Sequence, residues 1–356
     1  MIYLDYQATT PLAPEARAAM LRWLGDDDGF ANPHSPHRPG RAAAAAVEAA
    51  RAEVAGLFPP GGRVIFTSGA TEALNLAIHG VGAAQVAVSA IEHAAVLDTA
   101  FAGGRRVQVL PVDPHGLVAA DAWIQAGTGL VAVMQVNNEI GTIQPVDALA
   151  AAARDAGALF LCDAVQGAGK LAPPDADLIA VSAHKLHGPK GIGALWVRDG
   201  IDLQPLVHGG GQEQGLRSGT LSPALCAGFG AAAKLALARR GEDTAHVEAL
   251  WAKARDILAD WTLNGSAEQR WHGNLNLRRP GLDVARLMSE CRDIAFSAGS
   301  ACASGSGRPS HVLSAIGLEP GAAKSSVRLG FGRYTSLRDI EDACVRLNEA
   351  ALSQEH

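Results

Sequence analysis

Residues 178–191 read LIAVSAHKLHGPKG. A buried strand runs through Ser182 into His184 and Lys185, and a Gly/Pro loop follows. In open α/β sheets, ligands gather at the carboxyl ends of strands. A lysine there is placed to form a Schiff base with a carbonyl cofactor. Ser182 and His184 beside it can donate hydrogen bonds to a phosphate. The chain has six lysines, and Lys170, Lys190, Lys234, Lys253 and Lys324 lack this setting. Taken alone, the segment reads equally well as a lysine snorkelling at a strand end.

Outward from this segment, the pattern from about 60 to 200 alternates. Short Val/Ile/Leu-rich runs at 64–68, 86–90, 107–112, 130–136, 159–164, 178–183 and 193–198 read as buried strands. Ala-rich stretches at helical spacing lie between several of them, at 71–79, 93–102 and 145–156. This alternation predicts an α/β domain with a mainly parallel sheet. Residues 38–57 are rich in Ala, Arg and Glu, so a helix is expected. After about 221 the pattern changes to long helical stretches (221–240 and 244–261), short strands and a final helix near 336–352. That predicts a smaller α+β domain. With 356 residues, the chain exceeds one core of usual size. The expected division is a large domain over 13–243 and a small one over 1–12 and 244–356. The first dozen residues are expected to pack apart from the sheet domain.

Hydrophobic residues make up 48% and charged residues 19%, an ordinary globular balance. The net charge of -6, with no Lys/Arg cluster, argues against nucleic acid as a partner. The start, MIYLDYQATT, lacks the basic and apolar regions of a signal peptide. The longest apolar runs, such as LVAVMQV (130–136), are too short to span a bilayer, so no membrane is expected. Cys162, Cys226, Cys291, Cys302 and Cys344 are scattered without C-x-x-C spacing, which argues against a disulfide framework or a metal site. A cytoplasmic setting fits best.

Further motifs carry chemistry. In LFLCDAVQG (159–167), Asp163 ends another expected strand. Pyridoxal phosphate (PLP) enzymes need a carboxylate against the pyridine nitrogen, because the protonated ring is the electron sink. Gln166 can bond the ring hydroxyl. A lone aspartate after a strand more commonly caps a turn, but Asp163 precedes Lys185 by 22 residues, room for both to face one cleft. In FTSGATEALNLAI (66–78), a strand passes through Ser-Gly into a helix starting near Thr71. Free N–H groups and the helix dipole make that end a phosphate site, although most such starts are only caps.

In FSAGSACASGSGRPSHVL (296–313), Cys302 sits among Gly, Ser and Ala, whereas Cys162 lies in an apolar run of the kind that buries structural cysteines. The alternative is a loop cysteine with no role. GGGQEQGLRSGT (209–220) lacks the pattern of a nucleotide loop and reads as a flexible crossing. In SSVRLGFGRYT (325–335), Arg328 offers a planar fork suited to a carboxylate, or an ordinary surface ion pair.

Together these motifs resemble the cysteine desulfurases of the NifS-like group in the class V aminotransferase family, from YLDYQATTPLAPEA (3–16) through GRYT (332–335). The resemblance implies the PLP-dependent transferase fold, with a mainly parallel seven-stranded sheet in the large domain. It implies Lys185 as the Schiff-base lysine, with Ser182, His184, Ala70 and Thr71 on the phosphate. His93 would stack on the ring and move protons, and Asn138 would lie near the ring hydroxyl and the substrate carboxylate. Asp163 would serve the ring nitrogen and Gln166 the hydroxyl. Thr220 would reach the phosphate of a partner subunit, which implies a homodimer. Arg328 would take the substrate carboxylate, and Cys302 would be the nucleophile that receives sulfur from L-cysteine, leaving alanine. A sulfur-acceptor protein, either an iron–sulfur scaffold or another carrier, is then required. Tyr6-Gln7 stands where many members have Asn-Ala, an exchange expected to matter little.

Two other readings share these residues. A selenocysteine lyase or PLP aminotransferase would use Lys185, Asp163 and Arg328, but an aminotransferase has no need of Cys302. A non-catalytic PLP-fold partner protein would be signalled by loss of the lysine, and Lys185 is present.

Overall fold

The computed structural model describes residues 1–25, 29–299 and 310–355. β1 (Ile2–Tyr3) is followed by α1 (Pro14–Leu21) and α2 (Arg38–Ala55). The His37 ring accepts the Gly40 N–H at 3.1 Å, and a proline stands in the first turn of α2. Gly40, Ala43, Val47, Ala50 and Val54 then face inward at three- and four-residue spacing.

The central sheet holds β2 (Gly62–Thr67), β3 (Gln85–Ser89), β4 (Arg106–Leu110), β5 (Leu130–Ala132), β6 (Leu159–Asp163), β7 (Leu178–Ser182) and β8 (Gly193–Arg198). Their order is β2-β8-β7-β6-β5-β3-β4, and among them β8 alone runs against the others. β3 and β7 are buried at every position, because helices cover both faces of the sheet. One apolar cluster gathers Val47, Phe66, Phe160, Trp196 and Phe229. Another joins Leu74 and Ile78 of α3 (Ala70–Gly80) to Val86, Leu130 and Leu161. α4 (Ala94–Ala102) connects β3 to β4, and α5 (Val146–Asp155) connects β5 to β6.

The two helical stretches expected at 221–240 and 244–261 form one helix, α6 (Pro223–Ile257). Arg239 pairs with Asp243 at 3.4 Å across Gly241, and α1, α2 and α10 (Leu337–Leu352) pack along the helix. α2 and α6 approach closely: a Cβ on Gly230 would stand 2.9 Å from the Ala50 Cα.

The rest of the chain adds β9 (Thr262–Leu263), β10 (Asn274–Arg278), α7 (Val284–Glu290), β11 (Ile294–Ala295) and β12 (Ser297–Ala298). α8 (His311–Ala315), α9 (Pro320–Lys324) and β13 (Ser326–Gly330) precede α10. Strands β12-β13-β10-β9 form an antiparallel sheet with its own core around Leu275, Leu277, Leu329 and Leu347.

The first dozen residues do more than join this second sheet. β1 pairs with β11, yet the Thr10 N–H donates to the His184 carbonyl at 2.9 Å and Ala13 to that of His187 at 2.9 Å. The N-terminal segment therefore straps the loop after β7. No described helix is long and apolar enough to cross a membrane.

Candidate active site

Five segments leave the central sheet at one edge, after β2, β3, β5, β6 and β7. They enclose a cavity of about 380 Å³. Ala70, Thr71, His93, Asn138, Asp163, Gln166, Ser182, His184 and Lys185 all line it, although they come from five separate stretches of sequence. Arg328 and Thr220 do not border the cavity, and Cys302 lies outside the described residues.

Lys185 closes a short 3-10 turn, Ala183–Lys185, directly after β7. Its Nζ donates to the carbonyl of Gln7 and, at 2.9 Å, to that of Ala8. Burial and the neighbouring Arg328 charge lower its pKa to about 8, against the pull of Asp163 and Asp5. Asp163 is 6% exposed at the end of β6. One carboxylate oxygen accepts the Val165 N–H at 3.0 Å, and the other has no hydrogen-bond partner among the described residues. Burial pushes this carboxyl above its ordinary range, with Val165, His93 and Lys185 opposing the shift. Gln166 donates its Nε2 to the Gln7 carbonyl at 3.0 Å. His93 caps α4, its Nδ1 accepting the Ala95 N–H at 3.0 Å, so Nε2 carries the proton in the neutral ring.

At the other end of the cavity, α3 begins at Ala70, where the first-turn N–H groups have no intrahelical acceptor. Glu72 folds back to accept the Ser68 N–H at 2.7 Å and pairs with Arg217 at 2.8 Å. β8 packs so tightly behind this turn that a Cβ on Gly193 would stand 2.8 Å from the Gly69 Cα. His184 approaches Thr9 Oγ1 at 3.1 Å. Burial, with Lys185 and Lys190 nearby, lowers its pKa to about 4, so its ring is neutral at pH 7.

Arg328 lies on β13 beside the cavity. Its NH2 donates to Asp5 at 2.8 Å and to Ser297 at 3.1 Å, and its NH1 donates to the Asn138 carbonyl at 3.2 Å. Its buried Nε has no partner among the described residues. Thr220 is exposed at the surface.

Sequence reasoning missed several neighbours. The Gln7 carbonyl serves both Lys185 and Gln166, while the Gln7 side chain donates to the Gly273 carbonyl at 2.8 Å. The Gln7 backbone thus braces two residues of the site. Lys170, donating to the Gln166 carbonyl at 2.9 Å, is lowered to about 7 by burial. Glu92, next to His93, is raised to about 8 by burial, although it bonds Ser89 and accepts the Met134 N–H at 2.9 Å. The QGAGK context of Lys170 reads as a turn, and the buried Glu92 carries no motif of its own.

These groups fit PLP. Asp163, a buried residue lining the cavity, has a carboxylate oxygen with no partner among the described residues, which a protonated ring nitrogen would satisfy. The start of α3 presents free N–H donors to an anion, and Lys185 has an amine that is easily made neutral.

Comparisons with known proteins agree with this chemistry. The model of the class-V aminotransferases matches residues 2–342. A curated relative, the cysteine desulfurase IscS of Rickettsia bellii, is 41% identical over 98% of this chain and 91% of its own. The solved structure of a NifS-like protein superposes with a TM-score of 0.90 at 30% identity, covering 99% of both chains. Another, of SspA in complex with cysteine, superposes at 0.82 with 34% identity, covering 94% of this chain and all of that one. The chain belongs to the class-V aminotransferases, as a PLP-dependent enzyme among NifS-like and IscS-like homologues.

Proposed function

We propose that this enzyme is a cysteine desulfurase that moves the sulfur of L-cysteine onto Cys302 and releases alanine. The observation that carries the reading is the joint placement of Lys185 and the Asp163 carboxylate on one cavity. The relatives named as desulfurases supply the substrate. In this reading Lys185 holds PLP, with Asp163 on the ring nitrogen, Gln166 and Asn138 at the ring hydroxyl, and His93 over the ring. Ser182, His184, Ala70 and Thr71 hold the phosphate, and Thr220 reaches that of a partner subunit. PLP, when bound, supplies an electron sink for negative charge at the substrate Cα.

The chain's own groups do the rest. Lys185 Nζ, its pKa lowered to about 8 by burial and the Arg328 charge, takes the Cα proton and returns protons to the carbon fragment. Arg328 orients the substrate carboxylate, for which its bonds to Asp5 and Ser297 must be shared or exchanged. The sulfur needs a thiolate acceptor. Burial raises the thiols of Cys162, Cys226, Cys291 and Cys344, those of Cys226 and Cys344 to about 12, so none offers one near neutrality. Cys302 is the remaining cysteine. Its sulfur bonds the substrate sulfur as the Cβ–S bond breaks, and the electron pair stays with the carbon fragment, which is protonated to alanine. Thiol plus cysteine giving persulfide plus alanine balances without an outside oxidant.

The persulfide then passes to a sulfur-acceptor protein, such as a scaffold for iron–sulfur clusters or another carrier. The same reading makes the enzyme a cytoplasmic homodimer of two-domain subunits, divided as 13–243 against 1–12 plus 244–356. The test is incubation of the PLP-loaded enzyme with L-cysteine and a reducing thiol, measuring sulfide and alanine together. Equal yields are expected; alanine without sulfide, or neither product, refutes the reading.

A further inference from the structure

The segment that carries Cys302 re-enters the described structure at Ser310 and His311. Ser310 is fully buried. Its hydroxyl donates to the Glu139 carboxylate at 2.5 Å and accepts the Leu313 N–H at 3.1 Å. The His311 Nε2 donates to the Glu92 carbonyl at 2.9 Å. Glu139 and Glu92 are the immediate chain neighbours of Asn138 and His93, which line the cavity. Val312, Leu313 and Ile316 pack on Ile91 and Ile140, in an apolar cluster separate from those of the two sheets. Asn137 ties the two turns together. Its Nδ2 donates to the Ile91 carbonyl at 2.8 Å, and its Oδ1 accepts the N–H groups of Glu139 and Ile140 at 2.8 and 2.9 Å.

At the other end of the segment, the Gly299 N–H donates to the Ser326 carbonyl at 2.6 Å. A Cβ on Gly299 would stand 2.7 Å from that of Ser326, so the chain leaves β12 held close against β13.

We infer that Ser310 and His311 are positioning residues. They register the end of the Cys302 segment against the turns bearing His93 and Asn138, and so set how often the thiol meets the substrate sulfur. The inference rests on the desulfurase reading. A group on a tethered segment acts at a local concentration set by where its ends are held, so releasing one end slows the transfer without weakening substrate binding.

The test compares PLP-loaded wild type with Ser310→Ala, Ser310→Thr and His311→Leu. Sulfide release is measured across cysteine concentrations, with PLP content and the cysteine-induced absorbance change read alongside. In Ser310→Ala, kcat should fall about tenfold while KM stays within about twofold and the absorbance response is unchanged. Ser310→Thr, which keeps the hydroxyl, should recover most of the rate. His311→Leu should show a smaller fall of the same kind, and it carries the test if Ser310→Ala does not fold. An unchanged kcat in Ser310→Ala overturns the inference, as does a loss shared equally by kcat, KM and PLP content. Cys302→Ala is the control. If it releases sulfide at the wild-type rate, the desulfurase reading fails and takes this inference with it. If it is inactive while Ser310→Ala is normal, the positioning role alone falls.

Discussion

The depressed pKa of Lys185 gives a quantitative prediction about cofactor loading. Covalent capture of PLP requires the neutral amine. With a pKa of about 8, roughly a quarter of the amines are neutral at pH 7.5. An ordinary lysine, near 10.5, would be about 0.1% neutral there, a difference of roughly 200-fold. Stripped apoenzyme mixed with PLP should therefore load at a rate that climbs with pH, with its midpoint near 8 and a plateau above about 9. Arg328 is the charge that adds to burial in lowering this pKa, whereas Asp163 opposes the shift. Arg328→Gln should move the midpoint upward, and Asp163→Asn should move it downward. The assay is the initial growth of the yellow absorbance band in stopped flow from pH 6 to 10, with borohydride tagging to locate the labelled lysine. A midpoint near 10, a downward shift in Arg328→Gln, an upward shift in Asp163→Asn, or a tag on Lys170 would refute the reasoning.

Three other outcomes follow from the same geometry. Asp163→Asn should lower kcat by about a hundredfold or more while leaving the melting temperature unchanged or raised, because the neutral amide escapes the burial penalty; a sulfide assay beside a thermal melt checks both. Glu92 has a folded pKa of about 8, above its ordinary 4.5, so the native state holds that proton more tightly. Its stabilising contribution is full below pH 4.5 and is lost as pH rises through 8, at up to about 1.4 kcal/mol per pH unit. Glu92→Gln should therefore gain on wild type in urea melts as pH rises from 5 to 8, and parallel curves would contradict this. Because Thr220 is assigned to the partner's site, mixing inactive Lys185→Ala with impaired Thr220→Ala subunits should restore activity through hybrid dimers; no recovery after co-refolding counts against composite sites.

Much of the sheet was legible because its central strands are buried on both faces and read as unbroken apolar runs, as LIAVS (178–182) does. Its boundaries held less well where apolar character outlasts the ladder. The run expected at 130–136 is a strand only over Leu130–Ala132, and beyond it the chain bends to deliver Asn138 to the cavity. The stretches expected at 221–240 and 244–261 are one helix, and Gly241 between them faces open space in α6, where its lack of a side chain costs no packing.

Within the site, residues at strand ends carried their own signal. The partners of Lys185 did not, because they are backbone carbonyls of Gln7 and Ala8, which lie far away in sequence and have no motif. The anchoring of Ser310 was equally hidden, since an ordinary Ser N-cap gives no sign that its hydroxyl also meets the buried Glu139.

The most direct test of the central claim is to place the transferred sulfur. The PLP-loaded enzyme is mixed with sulfur-labelled L-cysteine without a reductant, quenched by alkylation, digested and analysed by mass spectrometry. The account predicts one labelled sulfur on the peptide containing Cys302, one alanine released per sulfur bound, and neither from Cys302→Ala, which should still hold PLP. Label on the peptide of Cys162, Cys226, Cys291 or Cys344, or wild-type alanine release by Cys302→Ala, would contradict it.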